Sequence, residues 1–126
     1  MVEFTAVLAI MILAGLTIFQ SLLIYGVPLG NFAWGGNHKV LPTKLRVASG
    51  FSIILYILFA VAILSKAGVI FDASTSQSLR TLMWILTCYF FIGVIMNGFS
   101  RSKHERLVMT PIAFILALLL LNLAIS

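Results

Sequence analysis

The sequence predicts an all-α fold: an integral membrane four-helix bundle with an interfacial, glycine-rich first loop. Of its 126 residues, 62% are hydrophobic and only eleven are charged. No charged residue falls within any of four apolar stretches, at residues 4–24, 47–65, 81–100 and 107–126. Each stretch has about 20 residues, and a helix of that length reaches roughly 30 Å, the thickness of the hydrocarbon core of a bilayer.

The first span is predicted at about residues 4–25. A secretory signal is the alternative, but the segment lacks a basic leading region, its early charge is Glu3, and its apolar run is too long for a signal core. We therefore expect this segment to stay in the protein as a span. The single cysteine, Cys88, lies within the third stretch and is expected to be a small buried hydrophobe.

The first loop, residues 25–42, is unusual for a connector. It contains four glycines, two prolines, Phe32, Trp34 and His38. Such a loop is expected to lie in the membrane interface or to fold back on the bundle, with Trp34 at headgroup level. Its glycines permit tight turns and close approach of another group. Interfacial anchoring alone would explain this composition, so a structural role and a binding role both stay open.

The remaining spans are predicted at about 43–66, 79–99 and 103–125, and together they make residues 1–126 a single transmembrane domain. The second loop, about 66–78, has the composition of a solvated turn. The fourth helix should begin near Lys103, because Ser102 and Glu105 form the pattern of a capping box. Pro111 should then kink it. A fresh start at Pro111 is the alternative, and it would leave only about 15 residues, roughly 22 Å.

The charge distribution predicts the orientation. Six of the eight basic residues lie in loops one and three or in the first turns of the spans that follow them, on one side of the predicted membrane, and two lie on the other. The positive-inside rule then places loops one and three in the cytoplasm and both termini outside. Because these charges sit in short loops between spans, the net charge of +5 indicates a membrane surface and no nucleic acid partner. The six are Lys39, Lys44, Arg46, Arg101, Lys103 and Arg106, and the two are Lys66 and Arg80.

Polar residues concentrate at the loop-one and loop-three end. Amides and hydroxyls in hydrocarbon need partners, so those within the spans should face the bundle interior, where they either link helices or line a vestibule. Gly93 and Asn97 share one face of the third span and predict close helix contact, within the bundle or between copies. The predicted bundle contacts are Gln20, Ser49 and Ser52. The candidate ligand-binding residues are Trp34, Asn37, His38, Arg46, Asn97, Arg101, His104 and Glu105.

The sequence carries no catalytic, metal or cofactor motif. No ionisable acid, base or histidine lies at mid-span, where proton-coupled carriers keep a titrating group. There is no H-E-x-x-H motif, no pair of carboxylates and no Walker-type loop. His38 and His104 are too few for a zinc site of three or four protein ligands. We therefore assign no catalytic residue, no metal and no cofactor.

Two strings resemble a known group of proteins. G-x-P-x-G-x-x-A-W-G-G-x-H-x-V-L-P-x-x-L-R, at residues 26–46, and S-R-S-K-H-E-R, at 100–106, resemble small four-span bacterial integral membrane proteins of uncharacterised function. The resemblance covers most of the chain. It implies a four-span topology and a bacterial cytoplasmic membrane, and it implies no activity.

Three functions follow as hypotheses. The first is a non-catalytic protein whose cytoplasmic, basic and polar cup binds an anionic lipid headgroup, a small ligand or a partner subunit. The second is a small transporter or channel, which at this size requires an oligomer. The third is a membrane-surface enzyme that uses His38 or His104 as a base. The expected partners are membrane lipids and either further copies of the chain or other subunits of a membrane complex.

Overall fold

The computed structural model describes residues 2–71 and 75–126. Within these residues every regular element is helical, which confirms the predicted all-α class. Each of the four long helices is long and apolar enough to cross a membrane. They are α1 (Val2–Ile24), α2 (Thr43–Lys66), α3 (Gln77–Gly98) and α4 (Lys103–Ile125).

The four helices form a bundle in which neighbouring pairs differ in closeness. Helices α3 and α4 pack most extensively, α1 contacts both α2 and α4, and α2 and α3 are the most loosely packed neighbours. The contact between α2 and α3 is partly aromatic, since the Phe59 ring lies edge-on to Tyr89 and Phe90, with centroids 5.6 and 5.9 Å apart. The bundle therefore has one seam, between α2 and α3, with an aromatic contact near the middle of both helices.

The main hydrophobic core fills the half of the bundle that lies away from loop one. Helix α4 contributes the most, with Leu116, Leu120 and Leu123 all fully buried. Thr5 of α1 donates a hydrogen bond to the side-chain oxygen of Asn122, 3.1 Å away, and links the two helices near the same end. Large apolar side chains cover the outer surface of all four helices, as expected for helices that face lipid. Cys88 of α3 is also exposed, so the expectation that it is buried is wrong.

Helix α4 begins as the sequence predicts. Ser102 is its N-cap, and its hydroxyl accepts a hydrogen bond from the backbone N–H of Glu105, 3.3 Å away. The helix continues through Pro111, so the alternative of a fresh start there is wrong. A helix of this full length keeps enough apolar residues to span a bilayer.

Loop one folds back against the bundle and is ordered by two short 3₁₀ turns, Gly30–Phe32 and Trp34–Gly36. Its ends are joined by a hydrogen bond from the backbone N–H of Gly30 to the carbonyl of Lys39, 2.8 Å apart. Buried side chains hold the loop to the bundle in a small second core of Leu23, Ala33 and Leu41.

The opposite end carries the second loop, of which residues 72–74 lie outside the described part. Both basic residues of this end contact the last residue of the chain. The Arg80 guanidinium donates to the carbonyl of Ser126 at 2.7 Å, and the Lys66 ammonium lies 3.4 Å from the same oxygen. These two cations therefore take part in packing the end of α4.

Candidate functional site

A cavity of about 590 Å³ lies at the loop-one end of the seam between α2 and α3. All four helices and loop one contribute to its wall, and we call it the seam cavity. Its lining residues are Leu16, Phe19, Gln20, Phe32, Ala33, Trp34, Gly35, Leu45, Ser52, Tyr56, Tyr89, Phe90, Ile92, Gly93, Met96, Asn97, Ser100, Glu105, Met109, Ile112 and Ala113.

The cavity extends from loop one to about the middle of the bundle. Along α4 its lining runs from Glu105 to Ala113, which at about 1.5 Å per residue is roughly 12 Å. Three of its lining residues on α3, Tyr89, Ile92 and Met96, are also exposed on the outer surface of the bundle. The cavity therefore opens sideways, onto the apolar outer surface, through the loosely packed seam.

Loop one closes the end of the cavity with a strained backbone. Trp34 has a φ of 52°, a left-handed conformation that costs a residue with a side chain about 1–2 kcal/mol. Gly35 and Gly36 continue it at φ 78° and 73°, where glycine has no such cost. The indole N–H of Trp34 donates to the fully buried hydroxyl of Ser49, 3.2 Å away. This contact holds the indole on the cavity wall.

Glu105 is the acidic residue of the cavity wall and is only 5% exposed. Its Oε2 accepts a hydrogen bond from the backbone N–H of Gly35, 3.2 Å away. In a full capping box the glutamate would instead accept from the N–H of the N-cap residue. Here the N–H of Ser102 donates to the Ser100 hydroxyl, 3.1 Å away, so the Glu105 carboxyl group is left for loop one and the cavity.

Gln20 supplies a second buried polar group. Its side chain is only 8% exposed. Its Oε1 atom has no hydrogen-bond partner among residues 2–71 and 75–126. A buried amide oxygen without a partner is costly in an apolar environment. Gln20 lines the cavity through other atoms of the residue, because Oε1 itself is buried within the bundle.

The structure brings together some of the residues that the sequence singled out. Trp34, Asn97, Glu105, Gln20 and Ser52 all line the seam cavity. Ser49 lies behind the wall, where it accepts the hydrogen bond from Trp34. The others lie outside the lining, and these are Asn37, His38, Arg46, Arg101 and His104.

The basic side chains lie outside the cavity as well. Within the described ranges no lysine, arginine or histidine belongs to its lining. The Arg46 side chain turns toward loop one, where its Nε donates to the carbonyl of Leu41 at 2.8 Å. Arg101 and His38 are exposed, and the exposed His104 ring packs on Phe32 with centroids 5.1 Å apart. The loop-one end thus combines a basic outer surface with a cavity whose charged lining residue is an acid.

Sequence reasoning missed part of the cavity wall. Tyr56 and Tyr89 line the cavity near the middle of their helices. Because tyrosine prefers the membrane interface, a tyrosine in the middle of a span was a sequence signal for a polar interior that could have been used. Gly93 and Asn97 were expected to mark close helix contact, but both line the cavity, and a Cβ on Gly93 would meet no atom within 4 Å. The small residue widens a cavity here and does not bring two helices of this chain together.

Metal-ligand chemistry is not assembled in the described part of the chain, which holds no group of three or more histidine, cysteine, aspartate or glutamate side chains placed to bind an ion. No protein-family model matches the sequence, and no curated protein and no solved structure is significantly similar to it.

Proposed function

We propose that this is a non-catalytic protein of the bacterial cytoplasmic membrane that binds an amphiphilic small molecule or lipid in the seam cavity. The observation that carries the proposal is the cavity itself, which is mostly apolar and contains a few converging polar groups. Among these are the side chains of Asn97 and Glu105, at the end of the cavity under loop one. Cavities of a few hundred Å³ with this composition are typical of small-ligand sites.

The distribution of polarity along the cavity favours an amphiphile. The end under loop one carries Trp34, Asn97 and Glu105, whereas the deeper end is bounded by Leu16, Phe90 and other apolar side chains. A head that forms hydrogen bonds would occupy the first end and an alkyl tail the second. The sideways opening would admit such a molecule directly from the bilayer.

The same geometry argues against the two other functions. Beyond the cavity, the bundle is filled by fully buried side chains such as Ile63, Met83 and Leu120, so a single copy offers no continuous path. A transport function would therefore require an assembly of copies. The enzyme hypothesis assigned the base to His38 or His104, and neither residue belongs to the cavity lining.

The basic surface has a separate part in the proposal. Lys39, Lys44, Arg101 and Lys103 are exposed at the loop-one end, where they suit the anionic headgroups of the cytoplasmic leaflet. We therefore propose that loops one and three are cytoplasmic and that both termini face outward.

A pair of reporter fusions tests this orientation. Alkaline phosphatase, active only outside the cytoplasm, should be active when fused after Ser126 and inactive when fused within loop one at Val40. Green fluorescent protein at the same positions should give the opposite pattern. An active phosphatase at Val40 would invert the proposed orientation.

Ligand binding is tested by quenching of Trp34. In a Trp84→Phe background, which leaves Trp34 as the one tryptophan, 2-bromoundecanol should quench the fluorescence in a saturable way, because bromine quenches only at contact and here lies next to the head, at the Trp34 end of the cavity. Gly93→Phe should abolish saturable quenching, since the new ring would fill a cavity in which a Cβ has open space. The expected loss of affinity is at least about a hundredfold, equivalent to about 2.7 kcal/mol.

Gly15→Phe is the matched control. Gly15 also lies within a helix with open space around it, but it is exposed and outside the cavity lining. This variant should bind the probe as tightly as the parent protein. Quenching that rises linearly without saturation, or that survives Gly93→Phe unchanged, would rule out binding in the seam cavity.

A further inference from the structure

We infer that the seam cavity selects amphiphiles with a positively charged ammonium head, for which Glu105 is the counter-ion. The inference rests on the proposed function and names its ligand class. Among the residues that line the cavity in the described part of the chain, Glu105 is the one with a charged side chain. The wall near a bound head would thus carry negative charge, although the surface around it is basic.

Glu105 has no cationic partner in the described part of the protein, and its charge is favoured only by a neutral donor and by its place in the first turn of α4, where the helix dipole is positive. Within residues 2–71 and 75–126, no lysine, arginine or histidine nitrogen forms an ion pair with its carboxyl group. The contact to that group is the Gly35 N–H, a neutral donor. A buried carboxylate is costly unless a cation or several hydrogen bonds compensate it. An ammonium head placed beside it would supply that compensation.

The aromatic part of the wall favours the same head. Phe32 and Trp34 of loop one line the same end of the cavity as Glu105. The faces of aromatic rings attract cations, and quaternary ammonium groups are the ligands that aromatic cages commonly recognise. An anionic head would instead meet the Glu105 carboxylate without any cation in the lining to offset the repulsion.

The basic loops do not prevent entry of a cation. Arg101 and Lys103 are exposed, and neither lines the cavity. The opening lies on the apolar side of the bundle, at Ile92 and Met96. A cationic amphiphile already inserted in the bilayer would enter through this seam and would not pass the charged loop surface.

The test uses three probes with one common tail and different heads, each brominated on the second carbon so that the bromine lies next to the head: 2-bromoundecyl trimethylammonium, 2-bromoundecanol and 2-bromoundecanoate. Each is titrated into the full chain carrying Trp84→Phe, in a non-ionic detergent, with Trp34 quenching as the readout. We expect the ammonium probe to bind at least about tenfold more tightly than the alcohol, and the carboxylate to bind more weakly than the alcohol.

Glu105→Gln should remove the preference, so that the ammonium probe and the alcohol bind within about twofold of each other, because glutamine carries no charge but keeps an oxygen for the Gly35 N–H. Glu3→Gln is the matched control. It makes the same change in net charge, but Glu3 is exposed at the end of the bundle away from loop one, so this variant should keep the preference. A preference that persists in Glu105→Gln, or disappears in Glu3→Gln, overturns the inference.

The wild-type ranking decides the matter even where Glu105→Gln fails to fold. Equal affinity for all three heads, with saturable binding that Gly93→Phe abolishes, overturns the ammonium selectivity and leaves the proposed binding function in place. Absence of saturable quenching by every probe overturns both.

Discussion

Replacing Gly30 with alanine should destabilise the protein by about 3 kcal/mol, the largest effect that we expect from a single methyl group. A Cβ at this position would overlap the backbone carbonyl of His38 and approach that of Lys39 to 2.8 Å. Because both obstacles are backbone atoms, a change of rotamer cannot relieve them. The loop segments around Gly30 and Lys39 would have to move apart, and the hydrogen bond between these two residues would be lost.

The measurement is the free energy of unfolding, from titration of the detergent-solubilised protein with dodecyl sulfate, followed by circular dichroism. Gly50→Ala is the control, since a Cβ on Gly50 meets nothing within 4 Å and the residue lies inside α2. Alanine there should be neutral or stabilising by about 0.5–1 kcal/mol. If Gly30→Ala were as stable as Gly50→Ala, loop one would not pack as described.

Leu120→Ala should cost about 2 kcal/mol of unfolding free energy. Leu120 is 0% exposed and lies in the main core, in the half of the bundle away from the seam cavity. In a bilayer, lipid is as apolar as leucine, so removing the side chain forfeits little transfer free energy. What is lost is the packing of the side chain against its neighbours, together with the cost of the cavity that remains.

Leu118→Ala is the control, because it removes the same side chain from a position that faces lipid and not the core. Leu118 lies two residues away on the same helix and is 44% exposed on the outer surface. Lipid can fill the space that its truncation leaves, so we expect a loss below about 0.5 kcal/mol. Equal losses at residues 118 and 120, measured in the same dodecyl sulfate titration, would contradict the described position of the core.

The helices and their ends were largely predictable from the sequence. The length of the apolar stretches predicted four helices, and the capping pattern at Ser102 and Glu105 predicted the first turn of α4. Both signals are local. The direction in which each helix faces was not predictable in the same way, because helices that are apolar on all sides give no periodic pattern that marks the buried face.

The cavity depends on tertiary packing, which the sequence does not report. Gly93 is a small residue that suits close helix contact, and only the looseness of the seam shows that it lines open space. Arg46 and Glu105 were expected to share one polar cup because their loops lie at the same end. Their side chains diverge, since Arg46 binds a loop carbonyl and Glu105 faces the cavity. Proximity in topology was predictable, whereas orientation was not.

The uneven closeness of the helix pairs has a mechanical consequence. Helices α1 and α2 form one half of the bundle, and α3 and α4 form the other. The contact between α1 and α4 is the more extensive of the two contacts that join these halves. On the opposite side of the bundle, the two halves meet where the Phe59 ring contacts Tyr89 and Phe90. On the loop-one side of this aromatic contact the seam cavity lies between the two halves, whereas on the other side the leucine core joins them. We therefore expect the width of the seam, which the few contacts between α2 and α3 leave adjustable, to set the thickness of the tail that the cavity admits.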